Sequence, residues 1–255
     1  GRIGLLVEPG GTMTGSIITT SGGFTVEGNN SAGVAIRSAL NGNYRQRGAI
    51  SVTGANSVGL EITQDVSGDG STGGNTVVIG EGSVGARILG DVAGEFAVDV
   101  GILATGFTTT DTRFSNYLLV PDAATSARLR DADDLLPGGP ALEIRGDLAR
   151  GFLVNGNATG GVDPTADVKD VIQNFNENRV AGTVGSLGSA PAVLIQALDG
   201  AAGDELRLGL VRESVQDTKD DDKDGNFTEV IGVFNYDFGF INRGQITGNG
   251  QNIGI

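Results

Sequence analysis

A nine-residue phrase returns in register at a fixed step, and that step constrains what this chain can fold into. Gly28-Asn29-Asn30-Ser31-Ala32-Gly33-Val34-Ala35-Ile36 comes back as Gly54-Ala55-Asn56-Ser57-Val58-Gly59-Leu60-Glu61-Ile62. It returns again as Gly80-Glu81-Gly82-Ser83-Val84-Gly85-Ala86-Arg87-Ile88, 26 residues on both times and without a gap. A period of this size marks stacked repeats rather than the core of a globular enzyme. The register reaches further, through Val26, Val52 and Val78 upstream and through Leu40, Val66 and Val92 downstream.

Within each unit apolar residues alternate with others, which puts successive side chains on opposite faces and predicts short strands. No window carries the apolar stripe of a long helix. Gly is 44 of 255 residues and supplies corners, but it lacks the three-residue period of collagen. Short strands joined by Gly corners can wind so that each residue returns about 4.8 Å above its equivalent, joined by parallel ladder bonds. Ile36, Ile62 and Ile88 then form one inward column. Gly33, Gly59 and Gly85 form a column where φ is positive or a Cβ has no room. Ser31, Ser57 and Ser83 form a column whose hydroxyls satisfy turn backbone.

The expected fold is therefore all-β: a right-handed parallel β-helix, a solenoid of imperfect ~26-residue coils with projecting loops. The handedness rests on the general preference of parallel crossovers and on the resemblance given below. Residues 1–255 read as one β-helix domain, with insertions near 107–138, 157–178 and 199–234. Roughly eight to ten coils, a rod on the order of 40–48 Å, are expected. Repeat-like sequence at both termini gives two expectations, a piece of a longer chain or ends that pair with other copies.

Composition narrows the chemistry. There is no Cys, so no disulfide and no thiolate metal site, and the formal charge of −14 disfavours nucleic acid and anionic membrane as partners. With no His, the usual Ser–His nucleophile is impossible, and the only lysines are Lys169, Lys219 and Lys223. The repeated serines and asparagines are therefore expected to be structural. Trp is absent and there are three Tyr, Tyr44, Tyr117 and Tyr236, a poor supply of sugar platforms. Phe234, Phe238 and Phe240 are expected on one strand, facing the core.

One local motif has metal character. Asp220, Asp222 and Asp224 fall at positions one, three and five of a D-x-D-x-D-G loop, with Gly225 at the sharp turn. Asn226 and Glu229 complete the candidate Ca²⁺ ligands, because position twelve is Ile231 and not the bidentate acid. The competing reading is a solvated hairpin tip between strands near 206–211 and 227–234. A second acidic group, Asp131, Asp133 and Asp134, raises the idea of a carboxylate pair for sugar hydrolysis. A short polar helix ending at Pro137-Gly138 is the favoured account of it.

Phrases such as Phe240-Ile241-Asn242-Arg243-Gly244-Gln245-Ile246-Thr247-Gly248 and Ser189-Ala190-Pro191-Ala192-Val193-Leu194-Ile195 resemble the passenger regions of bacterial autotransporters. The resemblance implies a right-handed β-helix exported through the outer membrane and displayed on, or shed from, the bacterial surface. Such stalks share no catalytic motif, so no active-site residue carries over. The absence of Cys agrees with export through an oxidising compartment. The expected function is a secreted or cell-surface structural or adhesive stalk, or a filament segment, without catalysis. Its expected partners are further copies of itself, end to end or side by side, or a host or neighbouring-cell surface. The alternatives kept open are a β-helical polysaccharide hydrolase or lyase and a Ca²⁺-responsive binding module.

Overall fold

The structure is a computed structural model, and it describes residues 1–106, 138–158, 179–188, 190–198, 204–216 and 230–249. Every regular element among them is a strand. The first pass of the chain runs through β1 (Ile3–Val7), β2 (Thr12–Thr14), β3 (Ile17–Thr19) and β4 (Gly23–Glu27). The second runs through β5 (Ala32–Ile36), β6 (Ala39–Asn41), β7 (Tyr44–Gln46) and β8 (Ala49–Thr53). The third holds β9 (Val58–Ile62), β10 (Gly70–Thr72) and β11 (Asn75–Ile79), and the fourth β12 (Val84–Ile88), β13 (Phe96–Val98) and β14 (Gly101–Thr105). The fifth holds β15 (Leu142–Ile144), β16 (Phe152–Val154), β17 (Gly156–Ala158), β18 (Arg179–Ala181) and β19 (Thr183–Leu187). The sixth holds β20 (Val193–Ile195), β21 (Arg212–Gln216), β22 (Val230–Asn235), β23 (Phe240–Asn242) and β24 (Gln245–Asn249).

Each pass contributes one strand to each of three six-stranded parallel sheets. Sheet one is β1-β5-β9-β12-β15-β20, sheet two is β3-β7-β10-β13-β16-β23, and sheet three is β4-β8-β11-β14-β19-β24. A fourth, narrower ladder joins β2 to β6 and continues as single bridges Leu40–Val66–Val92–Leu148–Leu208. The architecture is all-β and built of long parallel sheets, as a solenoid requires. The described residues make six passes rather than eight to ten, because about 30 residues enter between Ile88 and Ile144 and about 25 between Ile144 and Ile195 beyond the regular step. Six strands span about 24 Å of axis.

The register matches the sequence columns. Ile36 pairs with Ile62, Ile62 with Ile88, Ile88 with Ile144 and Ile144 with Ile195, and the first four of these are fully buried. Val26, Val52 and Val78 stack in sheet three, and Leu40, Val66, Val92 and Leu148 close the core at the fourth ladder. Sheet two adds an aromatic file: the Phe96 and Phe152 rings lie 6.4 Å apart, and Phe152 stacks on Phe240 at 5.1 Å. Tyr44 lies in the same column, buried, with a hydroxyl that has no partner and a pKa pushed up by that burial.

Corners divide the work between two kinds of glycine. Gly33, Gly59 and Gly85 lie inside strands, and steric room decides their identity. A Cβ on Gly59 would collide with the Gly85 carbonyl oxygen and the Thr76 Cγ2 methyl. Positive φ is needed instead at the turn before each strand, where Asn30 (55°), Asn56 (53°) and Gly82 (60°) occupy the left-handed region in successive passes. The serines bond within their own turn, as Ser57 Oγ does to the Ala55 carbonyl at 3.2 Å, and also across passes. The Ser31 amide donates to Ser57 Oγ at 3.1 Å and the Ser57 amide to Ser83 Oγ at 3.0 Å. The Ser83 hydroxyl donates back to the Gly54 carbonyl at 2.7 Å.

Two antiparallel pairs leave the stack at corners. The β17–β18 antiparallel pair opens towards residues 159–178, and β21–β22 opens towards 217–229. Within the expected insertion 199–234, residues 204–210 instead belong to the stack. Leu208 bridges Leu148, because alternation through Leu206 and Leu208 keeps the strand pattern. The three phenylalanines do not share a strand: Phe234 lies one residue before the end of β22, Phe238 is exposed in the turn, and Phe240 belongs to β23. Gly239 and its turn break the alternation. The first and sixth passes each leave one strand edge without a partner among the described residues, with Met13, Ile18, Ile195 and Phe240 partly exposed there.

Gly59→Ala should lower stability by about 1–3 kcal/mol, the range for overpacking a filled site. Gly11→Ala, with nothing within 4 Å of the added methyl, should change it by less than about 0.5 kcal/mol. Urea unfolding of the two variants side by side measures the difference.

Candidate functional site

Outward side chains follow from the same stacking, and they gather in three places. On sheet one, Glu61 takes the Arg37 guanidinium at 2.9 Å, and Glu143 takes Arg87 Nε at 2.7 Å and Arg145 Nε at 2.5 Å. Burial works to raise the Glu143 carboxyl, but hydrogen bonds from the two arginines outweigh it and hold the carboxyl below its usual range. The Arg37–Glu61 and Arg87–Glu143 pairs each tie one pass to the next.

The second place is an open groove of about 520 Å³ along the fourth ladder. Asp65, Asp91 and Asp147 stand one above another on one lip, with Asn41, Ser67 and Ala93 on the other. Each aspartate accepts the next backbone amide in the column: Asp91 N to Asp65 Oδ1 at 3.1 Å, Asp147 N to Asp91 Oδ1 at 2.8 Å, and Arg207 N to Asp147 Oδ1 at 2.8 Å. These carboxylates cap amides that the narrow ladder would otherwise leave unpaired.

The third place is the outer face of sheet two, and it holds the groups whose protonation is most perturbed. The β21–β22 hairpin is pinned across this face. Val211, Tyr236 and Ile241 pack with Ala97 and Leu153 in a small second core. Beside it, Glu213 is gripped by Arg243 through two bonds of 2.9 Å and by the Tyr236 hydroxyl at 2.8 Å. Arg243 Cζ also lies 5.2 Å from the centre of the Tyr236 ring, and Asn155 Oδ1 accepts from both Arg243 and Arg179. Glu213 and Arg243 are both nearly buried.

Two further carboxyls sit at the corners flanking β13. Glu95 stacks on Asp69, whose Oδ1 accepts the Glu95 amide at 3.3 Å, and Asp69 in turn approaches Arg45 at 3.8 Å. Glu95 Oε2 is buried and finds no hydrogen-bond donor. Burial first, then the charges of Asp69, Glu213 and Asp99, push Glu95 up to about 8 against the pull of Arg45. Burial and then Glu213 push Asp99 up to about 7, with Arg45 and Arg47 pulling the other way. Both acids are largely protonated at pH 6, so they can donate hydrogen bonds as well as accept them. Carboxyls from consecutive passes thus converge, yet among the described residues no three acidic groups come close enough to hold a metal ion.

Sequence reasoning missed Glu95, Asp99, Glu213 and Arg243. The 26-residue step from Asp69 to Glu95 was a usable signal for one corner, but nothing local announced that β21 would fold back onto it. The candidate Ca²⁺ ligands Asp220, Asp222, Asp224, Asn226 and Glu229 lie outside the described residues, as do Asp131, Asp133 and Asp134. The antiparallel pairing of β21 with β22 does put 220–229 between two strands of a hairpin, the first strand beginning at Arg212 rather than near Leu206.

Arg243→Met keeps much of the side-chain volume and strands Glu213. It should cost about 3–5 kcal/mol, as breaking a buried pair does, provided the hairpin stays closed, and denaturant unfolding reads it. Compared with protein families, curated proteins and solved structures, the chain matches none.

Proposed function

We propose that the chain is a right-handed parallel β-helix acting outside the cell as a rigid structural and adhesive rod. It is of the autotransporter-passenger kind or a filament segment, with no catalysis in this segment. The observation that carries the reading is the stack itself: three six-stranded parallel sheets whose like residues lie over one another. Such a rod holds its corners at fixed heights and presents the segments that leave them. The well-paired charges on sheet one and the amide-capping aspartates of the groove support a structural role for most outward polar groups. Self-association belongs to the same proposal, since a second copy can add strands in parallel at the open edges of the first and sixth passes.

Beads coated with the purified chain should adhere to one another or to cell surfaces more than bare beads do. Coated beads that behave as bare ones would overturn the adhesive part. Electron micrographs of the same material should show straight fibres of constant width where copies add end to end; single particles alone at every concentration would overturn the end-to-end association.

A polysaccharide hydrolase or lyase is the second reading, favoured by one observation, the stacking of Glu95 on Asp69 from consecutive passes, with Asp99 at the far end of β13. Incubation with acidic and neutral polysaccharides should release no reducing ends or unsaturated products if the structural reading holds. Release that disappears in Asp99→Asn would establish the second. For the 220–229 loop, calorimetry with Ca²⁺ on wild type and Asp222→Ala discriminates in the same way: a binding heat lost in the variant makes it a Ca²⁺-responsive module, and equal heats remove it.

A further inference from the structure

The hairpin β21–β22 is attached to the rod by contacts of two kinds. One is the small apolar patch of Val211, Tyr236 and Ile241 on Ala97 and Leu153. The other is the Glu213–Arg243 fork, reinforced by Tyr236. Stacking of the rod does not require Glu95 or Asp99 to be acidic, since neither side chain fills the core column nor caps a following amide. Yet both stand within electrostatic reach of Glu213, and one oxygen of Glu95 is buried without a donor. We infer that the hairpin is a pH-dependent clasp, seated on sheet two while Glu95 and Asp99 are protonated and loosened when both ionise beside Glu213.

Among the described residues, the charged groups that act on the two carboxyls come from four places. Asp69 and Arg45 come from the neighbouring passes, Arg47 from the corner after β7, and Glu213 from β21. Tyr236 and Arg243 flank Glu213, and Arg179 shares Asn155 with Arg243. The arginines favour ionised carboxylates, but burial together with Glu213 outweighs them. Coupling is reciprocal: if Glu213 resists ionisation of Glu95 and Asp99, then their ionisation pushes against the strand that carries Glu213. Uncharged carboxyls tolerate the cover of the hairpin, whereas charged ones regain hydration by losing it.

The sign follows from the direction of both shifts. In the folded chain the two carboxyls are raised from the ordinary 4.5 and 3.8 to about 8 and about 7. The stabilisation is therefore complete below about pH 4 and is lost as pH rises through about 7 and then about 8. Glu213 with Arg243 opposes release throughout, so loosening is confined to the hairpin and the stack beneath stays closed.

Amide hydrogen exchange, corrected for intrinsic rates, tests this on the whole chain at pH 5 and pH 9. Protection of residues 212–216 and 230–235 should fall on the order of tenfold, the equivalent of one pKa unit of coupling, while β9 and β12 keep theirs. Glu95→Gln with Asp99→Asn should retain the pH 5 protection at pH 9. Equal hairpin protection at both pH values in the wild type overturns the clasp, and so does the same fall in the double variant. Should the double variant fail to fold, Glu95→Gln alone is the substitute, and it must recover part of the protection lost at pH 9. None of these readouts depends on adhesion or export.

Discussion

The in-register parallel ladder is the interaction on which everything else rests. A backbone that returns to the same place on every pass satisfies its amides and carbonyls against the passes above and below. In doing so it forces each side chain to lie over its equivalent. Identity at a column then becomes a packing requirement. Ile36, Ile62, Ile88 and Ile144 fill one line of the core, and glycine at 33, 59 and 85 is required because the neighbouring pass occupies the place of a Cβ. Hydrogen bonds of side chains join passes in the same way, the serine hydroxyls bonding to the preceding pass and the aspartates to the following one.

This constraint also explains where irregularity is tolerated. An inserted segment that leaves and re-enters at a corner disturbs no ladder, so Ile88 meets Ile144 as squarely as Ile62 meets Ile88. The rod therefore separates two tasks. The stack keeps its ladders in register, and the corners take up extra chain. The most perturbed carboxyls, Glu95 and Asp99, lie where those tasks meet, on a rod face that one such corner segment folds back to cover. Covering changes the medium around them from water to protein, and their proton affinity reports that change.

Much of the architecture was legible because stacking writes a one-dimensional period into the sequence. Strand type, the 26-residue step and the isoleucine and valine columns could all be read from it. The number of passes could not. Insertions near 107–138 and 157–178 were expected, but nothing periodic marks how much chain they take, so the expected total of roughly eight to ten passes left too little room for them. Leu206 and Leu208 were assigned to an insertion for the converse reason: a single bridge per pass leaves too short a signature. Phe234 and Phe240 were joined into one strand because period-two alternation does not reveal the turn at Gly239.

The sequence by itself determined the repeat, the strand period and the identity of the inward columns, since those depend only on residues a fixed step apart. Tertiary structure alone decided that Glu213, Arg243 and Tyr236 close over the outer face of sheet two, beside Glu95 and Asp99. Those groups are separated by more than a hundred residues with no period between them, and their chemistry comes from shared burial and mutual charge. Neither quantity exists until the chain has folded.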